Sequence, residues 1–265
     1  MAFQGPIAAV VFDLDGVLID SERIYVRAWN QVADELDCPA LVPAYVDVVG
    51  LPYDQIEPII HANLNDRVSM VEFETAINGA VRALTKDGYP LKTGAVEILQ
   101  YLQDQGTPCA VATSSTTSVP RKLEDTGIDK YFCHVVTRDE VAMGKPHPDV
   151  YLAAAKRLGL APSQCLAVED SKPGLRAALA SGMVVAHVPD IIEIDAELTG
   201  RCDVVCPDLL ALRDWLVQIR LAGTENSVDG KTRQQQMQQA VTAGITSGVA
   251  DEFSMDAVQR DLDQD

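Results

Sequence analysis

Six apolar residues in a row, Ile7-Ala8-Ala9-Val10-Val11-Phe12, open the readable pattern of this chain. A run without polar alternation predicts a strand buried on both faces, as in the middle of a parallel sheet. Helical spacing follows. Val26, Trp29, Val32, Ala33 and Leu36 recur at helix steps, with Ser21 as the expected cap. More helix is predicted around Ile56–Ile60 and from Met70 to Leu84. Residues 19–92 contain no run that reads as a buried strand. They predict an all-helical insert of about seventy residues, long for a connection and long enough for a small domain.

From Thr93 a regular alternation begins. Strands are predicted at 108–112, 134–136, 165–168, 183–188 and 203–205. Between and after them, helices are predicted at 95–105, 118–125, 150–158, from Pro173 to Gly182, and at 209–220. Glycines 106, 127, 159 and 182 follow predicted helix ends. Strands that alternate with helices predict an α/β fold, a doubly wound parallel sheet interrupted by the helical insert. The expected division is 1–18 and 93–222 as the α/β core, 19–92 as the insert, and 223–265 as a weakly ordered tail. Arg233-Gln234-Gln235-Gln236-Met237-Gln238-Gln239 and a single aromatic, Phe253, mark that tail.

Composition narrows the partners. Asp and Glu total 39 against 21 Lys and Arg, a formal charge of −18 over 265 residues. Such a surface repels phosphate backbones, so nucleic acid is not an expected partner. No apolar stretch approaches the ~20 residues of a bilayer span, and no basic segment precedes the first apolar run as in a secretory signal. The expected setting is therefore the cytoplasm, away from membranes. The six cysteines form no CxxC pair and read as free thiols, mostly buried. Nothing in the chain predicts an oligomeric state.

Candidate chemistry sits where predicted strands end. The first strand runs into Asp13-Leu14-Asp15-Gly16, the strand at 108–112 into Thr113-Ser114-Ser115, and the strand at 165–168 into Glu169-Asp170. Gly144-Lys145-Pro146-His147-Pro148 lies between the last two. Parallel strands all point one way, so these loops share one edge, where ligands of open α/β sheets bind. That edge would hold four carboxylates, a hydroxyl cluster and an ammonium. Hard oxygen donors suit Mg²⁺, and a carboxylate can then attack a charge-masked phosphate. Thr113, Ser114 and Lys145 would donate to phosphoryl oxygens, and a second carboxylate, held protonated, can serve the leaving alcohol. The plainer alternative is an acidic turn before a helix. His147 reads as a loop residue, and His61, His134 and His187 are assigned no role.

Taken together and in order, Asp13-x-Asp15-Gly16-Val17, Thr113-Ser114, Lys145-Pro146 and Glu169-Asp170 resemble the four motifs of the haloacid dehalogenase superfamily. The resemblance covers about residues 7–220, and the insert resembles that superfamily's helical cap. Arg27-Ala28-Trp29 and Glu169-Asp170-Ser171 resemble the subgroup of β-phosphoglucomutases and small sugar-phosphate phosphatases. The resemblance implies Asp13 as nucleophile and Asp15 as general acid/base, with Thr113 and Lys145 on the substrate phosphate. It also implies Mg²⁺ held by Asp13, the Asp15 carbonyl, Asp170 and Glu169.

Departures favour hydrolysis over phosphoryl shuffling. The mutases carry a histidine where Tyr25 stands, and a cap lysine and arginine where Val49 and Tyr53 stand. The expectation is thus a Mg²⁺-dependent phosphatase of a small phosphorylated metabolite, a sugar or polyol phosphate or phosphoglycolate, working through an aspartyl-phosphate. The alternatives are a hexose-phosphate mutase and, more remotely, a non-catalytic phospho-receiver. Gly50-Leu51-Pro52 and Tyr53 are read either as specificity residues or as a plain turn.

Overall fold

The computed structural model describes residues 7–49 and 53–224. The Gly50-Leu51-Pro52 loop, the Tyr53 side chain and nearly all of the expected tail lie outside the described residues. Six strands form one parallel sheet: β1 (Ala9–Phe12), β2 (Cys109–Ala112), β3 (Phe132–Val136), β4 (Cys165–Glu169), β5 (Val184–His187) and β6 (Val204–Val205). Their order is β3-β2-β1-β4-β5-β6. β1 is therefore central, paired with β2 through Val10↔Cys109 and with β4 through Val10↔Leu166.

The uninterrupted apolar runs are explained by two cores, one on each face. Val10, Phe12, Val111, Leu166 and Val168 pack with α5 (Ala95–Asp104) and α10 (Leu209–Thr224). Ala9, Val11, Ala110, Ala167 and Val185 pack with α7 (Asp149–Leu158) and α8 (Lys172–Ser181). The second face is rich in alanine and its helices answer with Ala154, Ala155, Ala177 and Ala178. Small residues on both sides let helix and sheet approach closely. α6 (Val119–Thr126) follows β2, and the four-residue α9 (Ala196–Thr199) precedes β6.

Between β1 and α5 the chain forms α1 (Ser21–Glu35), α2 (Leu41–Val48), α3 (Tyr53–Asn63) and α4 (Met70–Leu84). They bury a cluster of their own. Trp29 stands edge-on to Tyr45 and Phe73, with ring centroids 5.4 and 5.2 Å away, and its Nε1 donates to the Leu41 carbonyl. The two linkers to the sheet run side by side. Ile19 bridges Leu91, the Asp20 N–H donates to the Pro90 carbonyl, and the Lys92 N–H donates to the Leu18 carbonyl. A third strut comes from the loop after β5, where Asp190 accepts from Lys92 at 2.5 Å and Arg23 at 3.4 Å, while Ile191 enters the helical cluster.

Three sequence readings need correction. α2 was not expected. Its β-branched residues obscure the helical period, and Pro43 is tolerated because first-turn N–H groups have no intrahelical acceptor. Ser21 is not the cap of α1; Asp20 takes that place without a side-chain cap bond, and the Ser21 hydroxyl is used elsewhere. α10 continues to Thr224, past the glycine at which the composition changes. The six thiols are free; Cys38, Cys109, Cys165 and Cys206 are buried, Cys202 is half-buried and Cys133 is exposed.

Candidate active site

The carboxyl ends of β1 and β4 are neighbours, and the Asp13 N–H extends their ladder by donating to the Val168 carbonyl at 3.0 Å. Three acids meet there. Asp13, Glu169 and Asp170 each offer a carboxylate oxygen, and these oxygens lie within 4.8 Å of one another. Lys145 reaches in from the loop before α7. Its Nζ donates to Asp13 Oδ1 at 2.7 Å and to Glu169 Oε1 at 2.5 Å, and it is buried. Tyr151, on α7, donates its hydroxyl to the same Glu169 oxygen at 2.6 Å. The other Glu169 oxygen accepts from the Ser171 hydroxyl at 3.1 Å and the Asp170 N–H at 3.2 Å. That oxygen sits at the start of α8, where the helix dipole favours negative charge.

One ammonium does not balance three acids. Burial raises the Asp13 carboxyl, Lys145 beside it lowers it, Glu169 raises it again, and the result is about 7. Burial first, then Glu169 and Asp13, push the Asp170 carboxyl well above its usual range. Asp170 Oδ1 is shut off from solvent and has no hydrogen-bond partner among the described residues. Two glycines hollow out this space. A Cβ on Gly16 would come within 2.1 Å of Asp170 Oδ2, and one on Gly174 within 2.0 Å of the Glu169 carboxylate. Gly16 also has a φ of +81°, which disfavours any side chain. Surplus negative charge, an orphaned oxygen and an all-oxygen donor set fit a hard divalent cation.

Asp15 faces the other way along the edge. Its carboxylate accepts from the hydroxyls of Ser21 and Ser115, each at 2.6 Å, and from Lys122 Nζ. Burial opposes ionisation, but the Lys122 charge and these three hydrogen bonds win, and the carboxyl is held below its usual value. In this conformation the Asp15 carboxylate is an acceptor of three hydrogen bonds, whereas work as a general acid needs a proton there. Lys122 comes from α6, is 1% exposed and lies 5.5 Å from the centre of the Tyr89 ring.

The hydroxyl loop after β2 divides. Thr113 is buried, and its Oγ1 accepts from the Ser115 N–H at 3.0 Å. Ser114 is exposed, and the side-chain bonds of this loop run through Thr113 and Ser115. Ser115, not Ser114, reaches Asp15. Sequence reasoning also missed Lys122 and Tyr151. Lys122 did leave a signal, because Val119 and Leu123 mark its face of α6 as the buried one. Tyr151 left none among the apolar residues of α7.

Among the described residues no helix is long and apolar enough to cross a membrane. The chain is similar to a phosphorylated carbohydrates phosphatase of Thermotoga maritima, 30% identical over 66% of this chain and 82% of that protein. It is also similar to hexitol phosphatase A of Escherichia coli, 32% identical over 71% of this chain and 88% of that protein. Among solved structures, a HAD family hydrolase of Deinococcus radiodurans with bound phosphate and sodium superposes with a TM-score of 0.68, at 30% identity over 81% of this chain and 97% of that one. The sequence model of the haloacid dehalogenase-like hydrolases matches residues 7–182, and with these likenesses it makes this chain a member of that hydrolase family.

Proposed function

We propose that this chain is a Mg²⁺-dependent phosphatase that hydrolyses small phosphorylated sugars or polyols through an aspartyl-phosphate on Asp13. One observation carries the reading. Asp13 stands at the switch of strand order, one oxygen held by Lys145, beside two further acids of which one has an orphaned oxygen. Phosphatases among its relatives support the substrate class.

Asp13, the Asp15 carbonyl, Glu169 and Asp170 would hold Mg²⁺, which would supply charge neutralisation for a phosphate dianion among acids. Asp13 attacks phosphorus and the alcohol oxygen departs, leaving the phosphoryl group on the aspartate. Lys145 and the hydroxyls of Thr113 and Ser114 stabilise the charge that develops on phosphoryl oxygens. Water then displaces phosphate from Asp13. Taking a proton from that water suits Asp15 as it stands, ionised on Lys122, Ser21 and Ser115. Protonating the leaving alcohol requires Asp15 first to gain a proton, which Lys122 opposes. The linkers and the strut at Asp190 give the helical insert a fixed seat over this edge, which supports its role as a cap.

The test is a panel of phosphate monoesters with and without Mg²⁺, run on the wild type, Asp13→Asn and Asp13→Ala. Turnover should require Mg²⁺ and vanish in both variants. Full activity in Asp13→Asn refutes the nucleophile. Isomerisation of a hexose phosphate without release of phosphate replaces hydrolysis with a mutase.

A further inference from the structure

Glu22 lies in the first turn of α1, next to the serine whose hydroxyl holds Asp15. Its Oε2 accepts from the Tyr45 hydroxyl at 2.8 Å, while its Oε1 accepts no hydrogen bond among the described residues. The side chain is half-buried and within electrostatic reach of Asp15, Lys122 and Asp190. Tyr25 is one turn further along the same helix face, within electrostatic reach of Lys122, Asp15, Tyr89 and Glu22. Around the Asp15–Lys122 pair the insert therefore presents phenols and one carboxylate with an open acceptor.

The charges bordering this rim are already matched or exceeded. Among the described residues Lys122 is paired with Asp15, Lys145 with Asp13 and Glu169, Lys92 with Asp190, and Arg23 with Asp20 and Asp190. A second phosphate or a carboxylate on a substrate is normally read by an Arg fork or a free ammonium. Burial, more than neighbouring charge, sets the Glu22 carboxyl. Burial raises its carboxyl, the Tyr45 bond lowers it, Asp15 and Asp190 raise it, Lys122 offsets them in part, and the outcome is about 7.

We propose that Glu22, steadied by Tyr45, is the specificity-determining residue that accepts a hydroxyl of the leaving group, and that the site selects uncharged polyhydroxylated leaving groups over those bearing a carboxylate or a second phosphate. This rests on the phosphatase reading above and narrows its substrate class. Above about pH 7, where Glu22 is mostly ionised, it accepts from a sugar hydroxyl in a charge-assisted hydrogen bond, and its removal weakens transition-state binding without touching the reacting phosphoryl group.

The test measures kcat/KM of the full chain with Mg²⁺ on sorbitol 6-phosphate, 2-phosphoglycolate, fructose 1,6-bisphosphate and 4-nitrophenyl phosphate. The wild type should favour sorbitol 6-phosphate over the two doubly anionic esters by about tenfold or more. The ratio of sorbitol 6-phosphate to 4-nitrophenyl phosphate should drop about tenfold in Glu22→Ala, and by a smaller factor in Glu22→Gln and Tyr45→Phe. The Gln variant keeps size and shape, so it separates lost recognition from lost folding. A ratio unmoved in both Glu22 variants, or a wild type that prefers phosphoglycolate or the bisphosphate, overturns the specificity assignment while leaving a phosphatase. A wild type that turns over none of the four esters, 4-nitrophenyl phosphate included, overturns the phosphatase reading and this inference with it.

Discussion

Replacing Lys122 with methionine should cost about 3 kcal/mol of folding stability, and almost nothing further in a chain whose Asp15 is already neutralised. The Lys122 side chain is 2% exposed and that of Asp15 19%. Removing one partner of a buried ion pair costs about 3–5 kcal/mol, because the other charge is left without compensation. Asp15 would keep the Ser21 and Ser115 hydroxyls and some contact with solvent, which puts the loss at the low end. Methionine fills nearly the same volume as the lysine stem, so little of the loss is cavity. Asp15→Asn alone strands the ammonium in α6 and should cost a similar amount. The double variant should cost about as much as either single one, a coupling of about 3 kcal/mol. Urea unfolding followed by tryptophan fluorescence suits the cycle, since Trp29 is buried in the helical cluster and Trp215 against the sheet.

The pH for that cycle follows from the signs. Asp15 is held below its ordinary 3.8, so its contribution is present above that value and is lost as acid protonates the folded carboxyl. Lys122 is held above its ordinary 10.5, so its contribution is present below that value and is lost in alkali. Near neutrality both are complete. Additive losses in the double variant would refute the claim that this pair, and not packing around α6, secures Lys122.

Three further outcomes are expected. Gly174→Ala should destabilise by about 3 kcal/mol or more and weaken Mg²⁺ binding, because the new Cβ would force Glu169 off the start of α8; wild-type-like melting and metal titration would contradict this. Millimolar Mg²⁺ should raise the melting temperature of the wild type by several degrees and that of Asp170→Asn hardly at all, while the metal-free Asn variant should melt above the metal-free wild type at pH 8 because it lacks a buried carboxyl whose ionisation is opposed. Glu22→Gln should gain on the wild type as pH rises from 4.5 to about 7, since the folded carboxyl holds its proton longer than the unfolded one; the ceiling is about 3 kcal/mol, and partial exposure brings the expected gain to about 1–2, read as a difference in urea midpoints at pH 5 and 8.

What could be read in advance was whatever had a period or a fixed spacing. α4 is bounded at the predicted residues because Ser69 and Glu72 close a capping box ahead of a clean helical stripe. The runs at 9–12 and 165–168 announced buried strands because both of their faces are covered. The acidic pairs were visible because carboxylates at strand ends have no packing reason to be there. What escaped was set by tertiary partners. Lys122 reads as an ordinary polar residue of an amphipathic helix until α6 turns it onto Asp15. Ser21 has the chemistry of a cap, yet Asp15 competes successfully for its hydroxyl. The charge state of Asp15 could not be read at all, because it is decided by an ammonium 107 positions further along the chain.

Strand spacing explains why this fold concentrates acid so readily. Adjacent strands lie about 4.8 Å apart, so carboxylates that leave the ends of β1 and β4 must meet at about the distance two ligands of one cation need. No loop engineering is required, only Asp13 and Glu169–Asp170 at the two ends and glycines at 16 and 174 to admit them. The balancing charge has further to come. Lys145 follows β3, an edge strand two places from β1, and only a long stem reaches the gap from there. Burial, together with its single charge against three acids, leaves Asp13 and Asp170 with carboxyls that resist ionisation. The sheet thus accepts a loss of stability at its centre, and on the proposed reading the divalent ion that would restore it would also let Asp13 approach a phosphate.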